Sequence, residues 1–169
     1  MMMRGSAQTA CLALSILSGA ASAAPAWAQQ TVFVVRHAEK VDASDDPVLS
    51  AAGLARAESL ARHLKASGVT AILVNKLQRT QLTAAPLAAQ LRLQPEVLDS
   101  AKPEDVVAAL RQRHASGVVL VVGHSNTVPA ILSLLGCSEK VTLADGDYDD
   151  LFVVVPAAQA PAWLLRLKY

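Results

Sequence analysis

Short apolar runs rich in valine and leucine alternate along the chain with segments whose apolar residues recur at helical spacing. The runs at residues 31–36, 71–74 and 118–122 predict strands that are buried on both faces. Residues 151–155 and 163–167 predict a closing pair of strands, and their short connection indicates an antiparallel hairpin. Because strands alternate with helices, the pattern predicts a single α/β domain, a three-layer α/β/α arrangement with a mainly parallel central sheet.

Four segments between these strands carry the helical pattern. We expect Ser50 to cap the first helix, Gly68 to end it, and Pro86 to kink or divide the second. The predicted helices run from residue 50 to about 65, 78 to 91, 103 to about 114, and 126 to 135. The buried stripe predicted for the first helix consists of Leu54, Ala57, Leu60, Ala61 and Leu64.

The first 28 residues have the order of a secretory signal peptide. Arg4 is followed by a small, apolar stretch at residues 10–20, and Ala26-Trp27-Ala28 provides a cleavage motif before Gln29, with residues 21–23 as a second candidate. The apolar stretch is short for a membrane span, so we expect no stable membrane anchor after cleavage. This predicts export of a domain at residues 29–169 to the periplasm or the medium.

Charge and cysteine content exclude some classes of partner. The chain has 15 Lys and Arg against 14 Asp and Glu, a formal net charge of +1, and no basic stripe, so a nucleic-acid partner is not expected. After signal cleavage Cys137 is the single cysteine, so an internal disulfide is not expected. The pattern leaves the oligomeric state open.

Two histidines follow two of the predicted strands, and this places them at one edge of the sheet. His37 follows the first strand, and His124 follows the strand at residues 118–122. Ligands of open α/β sheets bind beyond the carboxyl ends of such strands. Arg36 opposes protonation of His37, which keeps that imidazole nucleophilic, and offers a planar fork to phosphate oxygens. Gly123 allows close backbone approach, and Arg79 reaches the same edge after the second strand.

Four segments together resemble the histidine phosphatase superfamily, which has the phosphoglycerate-mutase-like fold. The motif Arg36-His37-Ala38-Glu39 resembles the family's Arg-His-Gly/Ala-Glu signature, and Leu49-Ser50-Ala51-Ala52-Gly53 resembles its Leu-Thr/Ser-x-x-Gly helix start. Arg79, Thr83 and Ala84 resemble its Arg-x-x-x-Thr-Ala segment, and Gly123-His124 its second histidine. The resemblance spans most of the domain and is strongest to small exported bacterial members.

The resemblance implies a phosphomonoester hydrolase that needs no metal and no other cofactor. His37 would take the phosphoryl group and later lose it to water. Arg36, Arg79 and His124 would hold the non-bridging oxygens, so that His124 serves both catalysis and phosphate binding. The implied partner is a small phosphorylated substrate.

The sequence departs from the family at two places. Asn75 stands where many members have serine. The glutamate that larger members use as general acid has no counterpart, and Asp99 is the first candidate to protonate the leaving group, with Glu39 and Glu104 as alternatives.

Other readings of the same residues stay open to different degrees. Ser125 lies in a strand-turn-helix context, but no histidine follows it, which disfavours a serine hydrolase. The neighbouring arginines disfavour a metal site at the two histidines. A non-catalytic phosphoester-binding domain and a phosphomutase remain as alternatives. The acidic run at residues 145–150 could repel highly phosphorylated substrates or simply solubilise a loop, and Ser125 or Asn126 could cap the helix after His124.

Overall fold

The computed structural model describes residues 30–99, 102–157 and 161–169. The predicted signal peptide at residues 1–28 and its cleavage motif lie outside the described residues. Among the described residues, no helix has both the length and the apolar composition required to cross a membrane.

Within the described residues, six strands form one sheet whose centre is parallel. The strands are β1 (Gln30–Arg36), β2 (Val69–Asn75), β3 (Glu96–Leu98), β4 (Gly117–Gly123), β5 (Asp150–Val155) and β6 (Trp163–Lys168), and their order in the sheet is β3-β2-β4-β1-β5-β6. The pairs β3-β2, β2-β4 and β4-β1 are parallel, whereas β5 and β6 form an antiparallel hairpin that adds to β1. The predicted mainly parallel sheet and its closing hairpin are thus confirmed.

Four helices cover the two faces of the sheet. They are α1 (Ala51–Leu64), α2 (Gln78–Leu91), α3 (Pro103–Arg113) and α4 (Thr127–Leu134). Each face of the sheet has its own hydrophobic core. Alternate residues of β1 contribute to the two cores, because successive side chains of a strand point to opposite faces. Val32 and Val34 pack with α3 and α4, while Phe33 and Val35 pack with α1 and α2. The arrangement is the predicted three-layer α/β/α.

The buried stripe of α1 begins one residue earlier than predicted. Leu54 is 52% exposed, which corrects its predicted burial, whereas Gly53 is buried. A Cβ atom on Gly53 would lie 2.2 Å from the carbonyl oxygen of Glu39, so the helix passes too close to that backbone for any side chain. Ser50 completes the contact, since its N–H donates to the Glu39 oxygen and its Oγ caps the N–H of Gly53, as predicted.

Two further local features differ from the prediction. The helix α2 continues as one segment through Pro86 to Leu91 and is not divided there, and its C-cap residue Arg92 has φ 56° in the left-handed region. The short strand β3 was not predicted, because three residues are too few to show an alternating pattern.

Candidate active site

The parallel pairing of β1 with β4 brings the two histidines together. Arg36 lies opposite Gly123 in the register, so both strands end at the same level of the sheet. The backbone N–H of His37 donates to the Gly123 oxygen at 2.9 Å, one step beyond the last strand pair. The imidazole centroids of His37 and His124 are 5.1 Å apart, with an angle of 67° between the rings. The edge of the sheet therefore carries an imidazole pair.

His37 is held in one tautomer by its own backbone. Its Nδ1 lies 2.8 Å from the carbonyl oxygen of Ala38. Because a carbonyl can only accept, Nδ1 carries the proton and Nε2 keeps its lone pair. Burial lowers the pKa of His37 to about 4, and the charges of His124, Arg79 and Arg36 add to this against the opposing effect of the Ala38 hydrogen bond. At neutral pH the ring is neutral and nucleophilic at Nε2.

The turn that holds His37 is tied to α2 by Thr83. The Thr83 Oγ1 accepts from the N–H of Ala38 at 2.9 Å and donates to the carbonyl oxygen of Arg79 at 2.7 Å. The side chain is fully buried. Thr83 belongs to the Arg-x-x-x-Thr-Ala motif, whose residue types alone do not indicate this role. The structure makes it a positioning residue that acts on His37 through Ala38.

Arg36 holds a loop as well as facing the histidines. Its Nη1 donates to the carbonyl oxygens of Ala144, Asp145 and Asp147 at 2.9, 3.0 and 3.3 Å. Its Nη2 donates to the Tyr148 hydroxyl at 3.3 Å, and its Cζ lies 4.1 Å from the centroid of the Tyr148 ring. We call residues 144–148 the Arg36 loop.

This arrangement limits how Arg36 can bind an anion. With Nη1 committed to backbone oxygens, the part left for phosphate is the edge that carries Nε, which is buried and has no hydrogen-bond partner. The acidic run at residues 145–150 therefore has a structural role, because the backbone carbonyls of Asp145 and Asp147 accept hydrogen bonds from Arg36.

Three buried nitrogens near the imidazole pair have no hydrogen-bond partner. They are Nε of Arg36, Nε of Arg79 and Nε2 of His124. Buried polar atoms of folded proteins are nearly always paired, so three unpaired nitrogens on neighbouring side chains indicate a place built for an anion. Arg79 otherwise donates from Nη1 to the Asp45 carbonyl oxygen at 3.1 Å.

Burial lowers the pKa of His124 to about 4, with further lowering by the charges of Arg79, Arg36 and Lys40.

The first turn of α4 is fixed differently from either predicted cap. Asn126 occupies the N-cap position without a side-chain hydrogen bond, and Thr127 Oγ1 accepts from the N–H of His124 at 2.8 Å. A Cβ on Gly123 would lie 3.0 Å from that Oγ1 and 3.1 Å from Cγ2 of Val128. The absence of a side chain at Gly123 thus leaves room for the close packing of α4 behind His124.

The carboxylates considered as general acids lie in different surroundings. Glu39 forms a bidentate ion pair with Arg56, with Nε–O distances of 2.9 and 2.8 Å. Burial alone would raise the pKa of Glu39, but the hydrogen bonds from Arg56 outweigh it and lower the pKa. Glu39 therefore stays ionised and has no proton to give. Asp99 is exposed directly after β3, and Glu104 is exposed in the first turn of α3.

Asn75 has a structural part in the site. Its buried side-chain Oδ1 accepts from the N–H of Leu77 at 3.0 Å and from the hydroxyl of Thr80 at 2.7 Å. These bonds fix the start of α2, which carries Arg79 and Thr83. Within the described ranges, the active site included, no three His, Cys, Asp or Glu side chains are close enough together to bind a metal ion.

The sequence pattern around these residues matches a known family. The sequence model of the histidine phosphatase superfamily (branch 1) matches residues 32–102, which include Arg36, His37 and Arg79. Over these residues the chain is similar to the histidine phosphatase superfamily. Among curated proteins, none matches its sequence.

Solved structures of phosphatases share the fold of this chain. The protein histidine phosphatase SixA, solved with tungstate, superposes with a TM-score of 0.66 at 21% identity over 82% of this chain and 96% of its own. The phosphoserine phosphatase of Entamoeba histolytica, solved with 3-phosphoglyceric acid, gives 0.65 at 14% identity over 83% and 98%. The mycobacterial glucosyl-3-phosphoglycerate phosphatase gives 0.60 at 14% identity over 79% and 96%. At these identities the likeness establishes the fold alone.

We expect both imidazoles to stay neutral until the pH approaches 4. In the unfolded chain histidine titrates near 6.5, so between 6.5 and about 4 the unfolded state binds more protons than the folded one. The free energy of unfolding should therefore fall as the pH drops through this window. An NMR titration of the ring nitrogens of His37 and His124 measures the effect, and a midpoint near 6.5 for either ring would contradict the expected burial.

Removal of the Thr83 hydroxyl should release His37 from its single tautomer. Thr83→Val keeps the shape of the side chain and removes both hydrogen bonds, whereas Thr83→Ser keeps them. Ring-nitrogen NMR at neutral pH should show a mixture of tautomers in the first variant and the Nδ1–H form in the second. Thr70→Val is the control, because that hydroxyl donates to the Val118 carbonyl oxygen and not to the His37 turn or to α2. An unchanged spectrum in Thr83→Val would remove Thr83 from the positioning of His37.

Proposed function

We propose that the chain is a metal-independent phosphomonoester hydrolase that acts through a phosphohistidine on His37. The observation that carries this proposal is the protonation pattern of His37, whose Nδ1 is bonded to Ala38 and whose Nε2 is free. A neutral imidazole with an oriented lone pair is a nucleophile at neutral pH. The match of residues 32–102 to the histidine phosphatase superfamily and the folds of the solved phosphatases support the same reaction class.

The surrounding charges suit transfer of a phosphoryl group. Such a transfer depends mainly on positioning and on neutralising the charge of the equatorial oxygens. In the proposed mechanism Arg36 and Arg79 supply two positive charges that face the imidazole pair, and their unpartnered Nε groups donate to non-bridging oxygens. His124 donates a third hydrogen bond from Nε2. Because the three donor nitrogens are already buried and unpartnered, little reorganisation accompanies the attack.

The reaction then proceeds in two halves. His37 Nε2 attacks phosphorus, the bond to the leaving oxygen breaks, and the phosphoryl group rests on the imidazole. Throughout this half the Ala38 carbonyl stabilises the proton on Nδ1, which gains positive character as Nε2 becomes substituted. Water attacks phosphorus in the second half and restores the neutral ring.

Replacement of the nucleophile should abolish turnover. We expect His37→Asn to lower kcat/KM by at least about a thousandfold on a panel of phosphomonoesters and to abolish labelling of the protein by the phosphoryl group. The exposed His63, whose Nδ1 bonds only to the Ser59 carbonyl, provides the control variant His63→Asn with unchanged turnover. The measurements are steady-state rates and mass spectrometry of the rapidly quenched enzyme, with and without EDTA, which should change neither result. A phosphohistidine substrate belongs in the panel because SixA is a protein histidine phosphatase.

Each alternative function gives a different result in this experiment. Binding of phosphate without turnover in the unsubstituted protein would identify a phosphoester-binding domain. Loss of activity in EDTA that zinc restores would replace the proposal by a metal site. A phosphoryl group that moves within the substrate and is not released would identify a mutase.

We further propose that residues 1–28 are a cleaved signal peptide and that residues 29–169 act in the periplasm or the medium. The order of Arg4, the apolar stretch and the Ala26-Trp27-Ala28 motif supports this. Expression of the full chain in a bacterium should yield a product outside the cytoplasm that begins at Gln29 by mass spectrometry. Ala28→Arg should block that cleavage. A full-length product confined to the cytoplasm would refute the proposal.

A further inference from the structure

The proposed hydrolysis needs a proton for the leaving oxygen, and within the described residues no hydrogen bond joins the carboxylate of Glu39, Asp99 or Glu104 to either imidazole. Glu39 is ionised in its pair with Arg56. Asp99 and Glu104 are exposed on the β3 side of the sheet. Proton donation by a group next to the reacting atoms is worth about 10²–10⁴ in rate when the leaving group is poor. The following inference rests on the proposed function and concerns this missing proton.

Tyr148 is the hydroxyl-bearing ring that the structure places against the nucleophile. Its ring centroid lies 6.1 Å from that of His37, with an angle of 55° between the rings. Its hydroxyl oxygen accepts from Nη2 of Arg36 at 3.3 Å, so its own proton remains available for another acceptor. A phosphoryl group on the Nε edge of Arg36 would lie next to this hydroxyl.

The position of Tyr148 is fixed from both sides of the loop. On one side, the carbonyl oxygens of Ala144, Asp145 and Asp147 accept from Arg36. On the other side, the Asp149 carbonyl oxygen accepts from the N–H of Tyr169 at 3.0 Å. The next residue is the first of β5, Asp150, whose buried carboxylate pairs with Arg166 at 2.7 Å. A donor held in this way needs little further ordering when substrate binds.

We propose that Tyr148 is the proton donor to the leaving group in this site. As His37 Nε2 forms its bond to phosphorus, the bond between phosphorus and the leaving oxygen breaks, and the Tyr148 proton moves to that oxygen. The phenolate that remains lies beside the guanidinium of Arg36, whose charge stabilises it. In the second half, water attacks phosphorus, gives one proton to the phenolate and displaces His37. The products are an alcohol and inorganic phosphate, and both side chains return to their starting states.

The test compares a leaving group that needs a proton with one that does not. Ethyl phosphate releases an alkoxide and requires protonation, whereas 2,4-dinitrophenyl phosphate releases a stable phenolate. Tyr148→Phe should lower kcat/KM for ethyl phosphate by about 10²-fold or more and that for the dinitrophenyl ester by less than about threefold. Phenylalanine keeps a ring over Arg36, so the variant removes the hydroxyl and leaves the packing.

The chain offers a matched control in its other tyrosine. Tyr169 has a buried hydroxyl without a hydrogen-bond partner, and Tyr169→Phe should leave both esters within about twofold. Asp99→Asn is the competing variant, because Asp99 is the carboxylate first expected to be the acid. It should also leave the ratio of the two rates unchanged.

The outcomes separate this role from the proposed function. An equal loss on both esters in Tyr148→Phe would mean that Tyr148 only positions Arg36, and no loss on either would remove it from the reaction; both overturn the proposal. A selective loss on ethyl phosphate in Asp99→Asn instead would assign the proton to Asp99. If the unsubstituted protein hydrolyses neither ester and forms no phosphohistidine, the phosphatase function itself fails and the Tyr148 role fails with it.

Discussion

The parallel pairing of β1 with β4 places the chemistry of this molecule. The register that sets Arg36 opposite Gly123 makes both strands end together, and the hydrogen bond from His37 to Gly123 extends the ladder by one more step. A slip of one residue would turn the side chains of a whole strand to the other face and exchange the two cores. The valines of β1 pack against helices on both faces, which resists such a slip. The separation of the two imidazoles is therefore set by core packing as much as by the residues of the site.

Around this pair of histidines, many of the groups that hold the site in place are backbone carbonyl oxygens. The Ala38 carbonyl sets the tautomer of His37, the Glu39 carbonyl receives the start of α1, and three carbonyls of the Arg36 loop bind one guanidinium nitrogen. Side chains such as Thr83 act by fixing that backbone. Because a folded chain holds its peptide groups more rigidly than its long side chains, this construction keeps the groups around His37 oriented before any ligand arrives.

The sequence predicts the strands and their ends, but it does not predict the contacts that backbone atoms make in the folded chain. The valine runs and the residues that follow them predicted the sheet, its hairpin and the meeting of His37 with His124, because strand burial and strand ends have clear sequence signals. The close approach of Gly53 to Glu39 could be named as a motif but not explained, since it depends on a helix and a turn meeting in space. The hydrogen bonds from Arg36 to the loop carbonyls cannot be predicted from residue types, because every residue has a backbone carbonyl. The residue types alone therefore do not single out Tyr148 within the acidic run, whereas the position of Asp99 in the chain favours it as a candidate acid.

Arg36 also couples two properties that are usually considered apart. Its Nη1 orders the Arg36 loop, and its Nε edge is the part left for an anion. One rigid, planar group cannot shift toward either partner without altering its geometry toward the other. By thermodynamic reciprocity, whatever tightens the loop on this guanidinium must change anion affinity by the same factor as the anion changes the order of the loop. The order of the loop and the orientation of the Nε edge are thus linked through a single side chain.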